Sequence, residues 1–200
     1  MIFRSFCSTI CGFYLLIVVC ISDNVAVAEN QFINSYIFKW LDKQPKIVES
    51  YLMSSSREKS PNSTALYLLG ILHLNGTFGE RNVKKADWYI TKAANMGLPE
   101  AINSIGDGYY SGDIREKNAE VALEFYEKAA SLGFGPAQFN AGVVLLKTAK
   151  CKQDLKKAIF FLDKAEKNSD DLGEITKSAL RYKIEAKRKF RDFQQHQMHG

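Results

Sequence analysis

The side chains that could carry chemistry are few in this sequence and stand far apart. Two of its three histidines, His196 and His199, are three residues apart and would share one face of a helix, a spacing that can hold a metal ion. They lie in a glutamine-rich segment beside the C-terminus, where chain ends are commonly disordered. We therefore predict that the protein binds no metal ion and no cofactor.

Catalysis is not expected either. The aspartates and glutamates are scattered through exposed helical positions, and no two of them form a convincing pair of general acid and general base. The sequence also has no glycine-rich phosphate loop and no nucleophile elbow. These features favour a protein that binds a partner over an enzyme.

Small residues recur at a fixed interval of 36 positions through the middle of the chain. A period of this size is typical of stacked helical repeats. Glycine in a helix interior costs about 1 kcal/mol relative to alanine, so a recurring glycine indicates a close approach of the paired helix, with small residues facing it. The recurring residues are Ala65, Ala101 and Ala137; Gly70, Gly106 and Gly142; Ala86, Ala122 and Ala158, which would face the glycines; and Ala93, Ala129 and Ala165.

Each unit is predicted to form a pair of helices, which in the first unit span Asn62–Gly76 and Val83–Met96. His73 occupies the position of Tyr109 and Leu145 in the later units, so it is expected to be a packing residue. Because one helical pair cannot bury its apolar face alone, neighbouring units must stack on it. The sequence therefore predicts an all-α solenoid whose three repeats span 62–97, 98–133 and 134–169, within residues 61–171.

The N-terminal residues 1–28 differ from the repeats and have the composition of a Sec signal peptide. They contain a positive charge at Arg4, an apolar run over Ile10–Ile21 and a small-x-small sequence at 26–28. An uncleaved anchor is the alternative, although the run is short for a membrane span. Lipidation at Cys20 is disfavoured because Val19 stands where a small residue is needed.

Residues 29–60 and 172–200 are predicted to cap the two ends of the stack. Two helices, Gln31–Asp42 and Lys46–Ser56, would cover the first repeat, and one longer helix over 172–195 would cover the last. The longer helix carries seven basic and three acidic residues, so its basic face could meet an acidic partner or phospholipid headgroups. Export argues against nucleic acid as a partner. The apolar stripe of the longer helix consists of Ile175, Ala179, Tyr182, Ala186, Phe190 and Phe193.

Cysteine content gives no internal disulfide in the mature chain. Cys7, Cys11 and Cys20 would leave with the signal peptide, and Cys151 would remain alone. We expect Cys151 to be a thiol in the loop between the last two repeat helices. A disulfide to another molecule is the alternative.

The repeated pattern resembles the Sel1-like repeat, a relative of the tetratricopeptide repeat. The first unit carries Ala65, Gly70, a turn at Gly76, and then Lys85-Ala86, Trp88-Tyr89, Lys92-Ala93-Ala94 and Gly97. The third unit departs from this pattern at Leu145, Thr148 and Glu166, which replace an aromatic residue, the turn glycine and the second alanine. The resemblance covers about half of the chain and implies a solenoid of helical hairpins.

The resemblance also implies where a ligand would bind. In tetratricopeptide-like units the first helices line a concave face, which suits an extended peptide or a helix. We expect Tyr67, Asp107 and Tyr110 to be the most exposed residues there, whereas several apolar members could belong to the core between repeats. The implied groove residues are Tyr67, Ile71 and Leu74; Asn103, Asp107 and Tyr110; and Phe139, Val143 and Leu146.

Together these features predict an exported protein, periplasmic or secreted, that acts as a module for protein–protein interaction. The resemblance implies a role in the bacterial envelope or in host contact, as in the enhanced-entry repeat proteins. One alternative is the small periplasmic component of sodium-driven flagellar stators, whose cysteines this chain lacks. An enzyme acting on cell-wall material, with an acidic residue in the groove, is the alternative from a different class.

Overall fold

The computed structural model of the protein describes residues 45–57, 62–168 and 173–198. This part of the chain forms eight α-helices and contains no strand. The helices are α1 (Pro45–Arg57), α2 (Ser63–Leu74), α3 (Val83–Asn95), α4 (Pro99–Ser111), α5 (Ala119–Ser131), α6 (Gly135–Thr148), α7 (Lys152–Lys167) and α8 (Gly173–Met198).

Helix α1 crosses the boundary between two compact units, Met1–Tyr51 and Leu52–Gly200. The first unit is described only over residues 45–51, which form the first half of α1. The predicted signal peptide at 1–28, the lipidation site at Cys20 and the predicted helix Gln31–Asp42 all lie outside the described residues.

The second unit is an α-α solenoid, as the sequence predicted. Three helical hairpins, α2–α3, α4–α5 and α6–α7, follow one another along the chain, and each pair of helices packs together. Neighbouring hairpins are joined by packing of α3 against α4 and of α5 against α6. Helix α8 follows the third hairpin and packs against α7 and α6. No helix in the described ranges is long and apolar enough to cross a bilayer.

The helices begin and end where local chemistry requires. Asn62 and Asn118 cap α2 and α5, since each side-chain oxygen accepts two backbone N–H groups that have no partner within the helix. Gly133, with φ of 88°, follows α5 in the left-handed conformation that glycine adopts without strain. The third hairpin has Thr148 in place of a turn glycine, and there Asp154 accepts the N–H groups of Lys150 and Cys151 at 2.9 and 3.1 Å.

The recurring glycines mark the closest approach of each helical pair. A Cβ atom built on Gly70, Gly106 or Gly142 would lie 2.6 to 2.7 Å from a side chain of the second helix, closer than real Cβ contacts. The same Cβ atoms would lie 3.1 to 3.2 Å from the backbone oxygens of the facing alanines, at positions 86, 122 and 158. The predicted close approach, with Ala86, Ala122 and Ala158 opposite the glycines, is therefore confirmed.

Helix α8 covers the far side of the third hairpin. Ala179 and Ala186 are fully buried and share a hydrophobic cluster with residues of α6 and α7. Lys183, which the sequence placed among the solvated basic residues, is instead largely buried and pairs with Asp163 and Glu166 of α7. The basic surface of α8 therefore has one charge fewer than the sequence indicated.

Candidate functional site

The predicted groove residues of the first repeat lie on α2 and remain partly accessible. Tyr67, Ile71 and Leu74 are all half-buried. The hydroxyl of Tyr67 shares a hydrogen bond of 3.1 Å with that of Ser104 on α4. Burial raises the pKa of the Tyr67 hydroxyl above its usual 10.0, so Tyr67 is neutral at physiological pH.

The middle repeat places a polar cluster at the same positions. Asp107 is exposed as a residue, but other side chains surround its carboxylate. Its Oδ2 accepts from Asn103 Nδ2 at 2.9 Å, and its Oδ1 accepts from the Tyr126 hydroxyl at 2.8 Å and from Asn140 Nδ2 at 3.4 Å. Asn140 Nδ2 also donates to Asn103 Oδ1 at 3.1 Å. We call Asn103, Asp107, Tyr126 and Asn140 the Asp107 cluster.

The electrostatics of the Asp107 cluster follow from the loss of water around it. Burial raises the pKa of the Asp107 carboxyl above its usual 3.8, and the hydrogen bond from Tyr126 counteracts part of that rise. Burial and the neighbouring carboxylate raise the pKa of Tyr126, so its hydroxyl keeps its proton and acts as a donor. The Asp107 carboxylate thus lies at the surface as a hydrogen-bond acceptor, and the uncharged donors of Asn103, Tyr126 and Asn140 hold it in place.

The third repeat differs from the expected groove. Leu146 is 2 % exposed and Val143 is also buried, both in the hydrophobic cluster that contains Ala179 and Ala186 of α8. Phe139 is half-buried, and its ring contacts that of Tyr182 edge to face at 5.8 Å. Because α8 packs over α6, Val143 and Leu146 belong to the core and not to an open groove, although Leu146 also lines a cleft between α6, α7 and α8.

A row of side-chain contacts joins the first helices of successive repeats. Tyr67 meets Ser104, and Asn103 meets Asn140; Tyr110 meets Lys147, whose ammonium donates to the Tyr110 hydroxyl at 3.1 Å. The two residues of each pair are 37 positions apart in the sequence. We call the surface of α2, α4 and α6 that carries this row and Asp107 the first-helix face.

The sequence did not indicate three residues of the first-helix face, Ser104, Asn140 and Lys147. It also did not indicate Tyr126 of α5, which lies beneath that face and donates to Asp107. Comparing residues 37 positions apart, in place of 36, would have indicated Ser104, Asn140 and Lys147. The reason is that each side chain contacts the residue one position beyond its own equivalent in the next repeat. Tyr126 had a different signal, since it is a tyrosine at the position of Ile90 and Leu162 in the other repeats.

Among the described residues that form the Asp107 cluster, Asp107 is the one carboxylate. Asp107 has tyrosine and asparagine neighbours and no second carboxylate within hydrogen-bonding distance. His73 is buried and stacks on Tyr89 with 5.7 Å between ring centroids, which confirms its predicted packing role. No group of three metal-ligating side chains is present in this part of the chain, and the side chains of His196 and His199 lie outside it.

A separate cleft lies between α6, α7 and α8. Its volume is about 480 Å³, and it is lined by apolar residues together with Lys147, Lys189 and Asp192. Cys151 lies at the start of α7 as an exposed thiol, as predicted for the loop between the last two repeat helices. Among the lining residues of the cleft, Asp192 is the one carboxylate.

The fold and the repeat pattern agree with comparisons to known proteins. The model of the Sel1 repeat family matches residues 63–98, 99–134 and 135–170, each beginning one residue after the predicted unit. The chain belongs to the Sel1 repeat family. None of the curated proteins is a significant match.

Two solved structures with the Sel1 repeat fold resemble this chain. One is a Sel1 repeat protein from Oxalobacter formigenes, with 26 % identity over 72 % of this chain and 94 % of that one, and a TM-score of 0.51. The other is c5321, a protective antigen of uropathogenic Escherichia coli strains, with 24 % identity over 61 % of this chain and a TM-score of 0.56. The match spans 26 % of c5321, and it shows a shared fold.

Proposed function

We propose that this Sel1 repeat protein is an interaction module whose first-helix face binds an extended peptide or a helix of a protein partner. The observation that carries the proposal is the set of three side-chain contacts between the first helices of successive repeats, from Tyr67 on α2 to Lys147 on α6. A row of this kind holds aromatic and amide side chains in fixed positions across three repeats, so little conformational freedom is lost when a ligand binds.

The chemistry of the first-helix face fits peptide recognition. Tyr67 and Tyr110 are half-buried and offer ring surface beside a polar group, which is the combination that dominates binding at protein interfaces. The apolar side chains Ile71 and Leu74 adjoin Tyr67 on α2. The ammonium of Lys147 lies over the ring of Tyr110, 5.7 Å from the ring centroid. The accessible part of the face therefore spans α2, α4 and the adjoining edge of α6.

We further propose that the protein acts after export, in the bacterial envelope or in host contact, by analogy with the enhanced-entry repeat proteins. The composition of residues 1–28 supports export. A component resembling the periplasmic part of a flagellar stator remains the second candidate. A cell-wall-active enzyme is the third, and the solitary carboxylate of Asp107 argues against it.

The basic side of α8 is proposed as a second contact, with an anionic surface. Lys177, Arg181, Lys187 and Arg188 are exposed there, whereas Lys183 is held by α7. Sedimentation of the protein with phosphatidylglycerol vesicles, but not with phosphatidylcholine vesicles, would support this contact if 0.5 M salt releases it, since salt at that order of concentration screens surface charges within about 4 Å.

Affinity capture tests the peptide-binding proposal. The protein without the predicted signal peptide at 1–28 is immobilised and exposed to envelope extract. The Tyr67→Ala/Tyr110→Ala variant is tested beside it, together with a control, Trp88→Ala, which removes an exposed aromatic residue from α3. We expect one protein to be retained by the wild type and the control and lost by the double variant. Circular dichroism must show equal helicity in all three. Retention by the double variant would contradict the proposal.

A further inference from the structure

The middle repeat carries a charge where its neighbours carry aliphatic side chains. Asp107 stands directly after the close-approach glycine of α4, in the place held by Ile71 in the first repeat and Val143 in the third. Across the hairpin, Tyr126 stands in the place of Ile90 and Leu162. A polar pair at a position that otherwise builds an apolar contact costs stability, and such departures are expected at functional sites.

The Asp107 carboxylate has no cationic partner within the described residues. Its three hydrogen-bond donors, from Asn103, Tyr126 and Asn140, are all uncharged. Three other aspartates of the solenoid pair with basic side chains: Asp87 with Arg115, Asp113 with Arg81, and Asp163 with Lys167 and Lys183. The ammonium of Lys147, on the same face, donates to the hydroxyl of Tyr110.

This geometry limits what can cover the first-helix face. Oδ2 of Asp107 accepts one hydrogen bond, from Asn103, and a carboxylate oxygen can accept two. A ligand that buried the carboxylate without offering a cation would leave a charge unpaired away from water, which is strongly unfavourable. A ligand that placed a lysine or arginine there would form a charge-assisted hydrogen bond, which is among the strongest polar contacts in proteins.

We propose that Asp107 is the residue that receives a lysine or arginine side chain of the bound peptide, and so determines which peptides the first-helix face selects. This inference rests on the proposed function. Tyr126, Asn103 and Asn140 are positioning residues, because they hold the carboxylate and do not themselves meet the basic group.

The spacing of the repeats adds a second requirement on the peptide. Helices α2 and α4 meet through side chains, as at Tyr67 and Ser104, and are not a closely packed pair, so their axes are at least about 10 Å apart. Because an extended peptide advances about 3.3 Å per residue, a peptide that crosses from α4 to α2 would place an apolar residue at least about three positions from the basic one, against Ile71 or Leu74. On the other side α8 covers Val143 and Leu146, so no matching apolar preference is expected there.

Selection from a library of random dodecapeptides displayed on phage tests the inference. The targets are the wild type, Asp107→Asn and a control, Asp113→Asn, each without the predicted signal peptide at 1–28. The control removes an equal charge from an aspartate whose side chain is 71 % exposed and forms a surface ion pair with Arg81. We expect wild type and control to enrich peptides with lysine or arginine at one aligned position. Asp107→Asn is expected to lose that enrichment and to keep the apolar preference.

Binding of one selected peptide gives a measurement that does not depend on the variant's stability. Replacing its basic residue by norleucine should weaken binding to the wild type about tenfold and leave binding to Asp107→Asn unchanged, since one charge-assisted hydrogen bond is lost only where the carboxylate is present. Circular dichroism and the unfolding midpoint must show that Asp107→Asn is folded.

The outcomes separate the inference from the function on which it rests. Selected peptides without a basic residue, or an Asp107→Asn variant that still selects one, would overturn the role of Asp107 and leave peptide binding intact. If no peptide is selected, or if the Tyr67→Ala/Tyr110→Ala variant selects the same peptides, the first-helix face is not the binding site. Both proposals then fail.

Discussion

The middle repeat and the two outer repeats place different kinds of side chain at the same two positions of the helical hairpin. In the first repeat Ile71 and Ile90 lie in one hydrophobic cluster, and in the third Val143 and Leu162 lie in another. In the middle repeat the equivalent residues are Asp107 and Tyr126, which are joined by a hydrogen bond of 2.8 Å.

The difference leaves the backbone unaffected. A Cβ at Gly106 would lie 3.2 Å from the Ala122 oxygen, and a Cβ at Gly142 would lie the same distance from the Ala158 oxygen. Small residues thus fix how closely the helices approach, whatever side chains surround them. The repeat can therefore vary the residue after the glycine, and specificity can arise there without a change of fold.

The largest loss of stability is expected when a side chain is truncated in one of the aliphatic pairs of the outer repeats. Leu162→Ala removes a fully buried side chain from the third repeat and should lower the free energy of unfolding by about 2 to 5 kcal/mol. Urea denaturation measures the loss. The control Phe160→Ala, on the exposed side of the same helix, should change stability by no more than about 0.5 kcal/mol. Equal losses in the two variants would contradict an aliphatic core at this position.

Converting the polar pair into an aliphatic one should have the next largest effect. Asp107→Val alone leaves the buried hydroxyl of Tyr126 without its acceptor, which should cost about 1 to 3 kcal/mol. Adding Tyr126→Leu removes that hydroxyl, so the double variant should be more stable than Asp107→Val. A double-mutant cycle by urea denaturation measures the coupling. Additive losses would mean that the two residues act independently.

The sequence predicted those parts of the fold that depend on local chemistry and on the period. The glycines at 70, 106 and 142 and the alanines opposite them could be identified because only small residues permit the close approach of two helices. The same period placed His73 among packing residues. The ends of the two helices in the first repeat followed from the glycines at 76 and 97, which act within a few residues of the chain.

The sequence did not predict contacts between elements that the repeat does not relate. Helix α8 departs from the period, so nothing in the repeat pattern showed that it would bury Val143 and Leu146 or draw Lys183 to Glu166. The bond between Tyr126 and Asp107 joins residues 19 positions apart on different helices. Such contacts depend on how helices rotate against each other, which single-sequence patterns do not determine.

A smaller effect is expected when only the hydroxyl of the polar pair is removed. Tyr126→Phe keeps the buried ring and deletes the donor to Asp107, so stability should fall by about 1 kcal/mol. Tyr109→Phe is the matched control, since the Tyr109 ring stacks on Phe125 and its hydroxyl has no hydrogen bond in the described structure. Thermal and urea unfolding should show a loss for Tyr126→Phe and little change for Tyr109→Phe.

The smallest effect is a pH dependence whose sign differs between two aspartates. Because the folded pKa of Asp107 lies above its usual 3.8, the folded state binds that proton more tightly than the unfolded state does. Wild-type stability relative to Asp107→Asn should therefore fall as pH rises from about 3.8 through the raised pKa. The comparison uses urea denaturation of both proteins at several pH values.

Asp163 provides the opposite case on α7. Lys167 and Lys183 hold the pKa of its carboxyl below 3.8, so its contribution to stability is present above that value and is lost as pH falls through the lowered pKa. Wild-type stability relative to Asp163→Asn should therefore rise with pH across that window. If the stability difference between wild type and Asp107→Asn also rose with pH, as expected for Asp163, the neighbours of Asp107 would be stabilising its ionised form. The contrast between an unpaired carboxylate in the middle repeat and a paired one elsewhere would then be wrong.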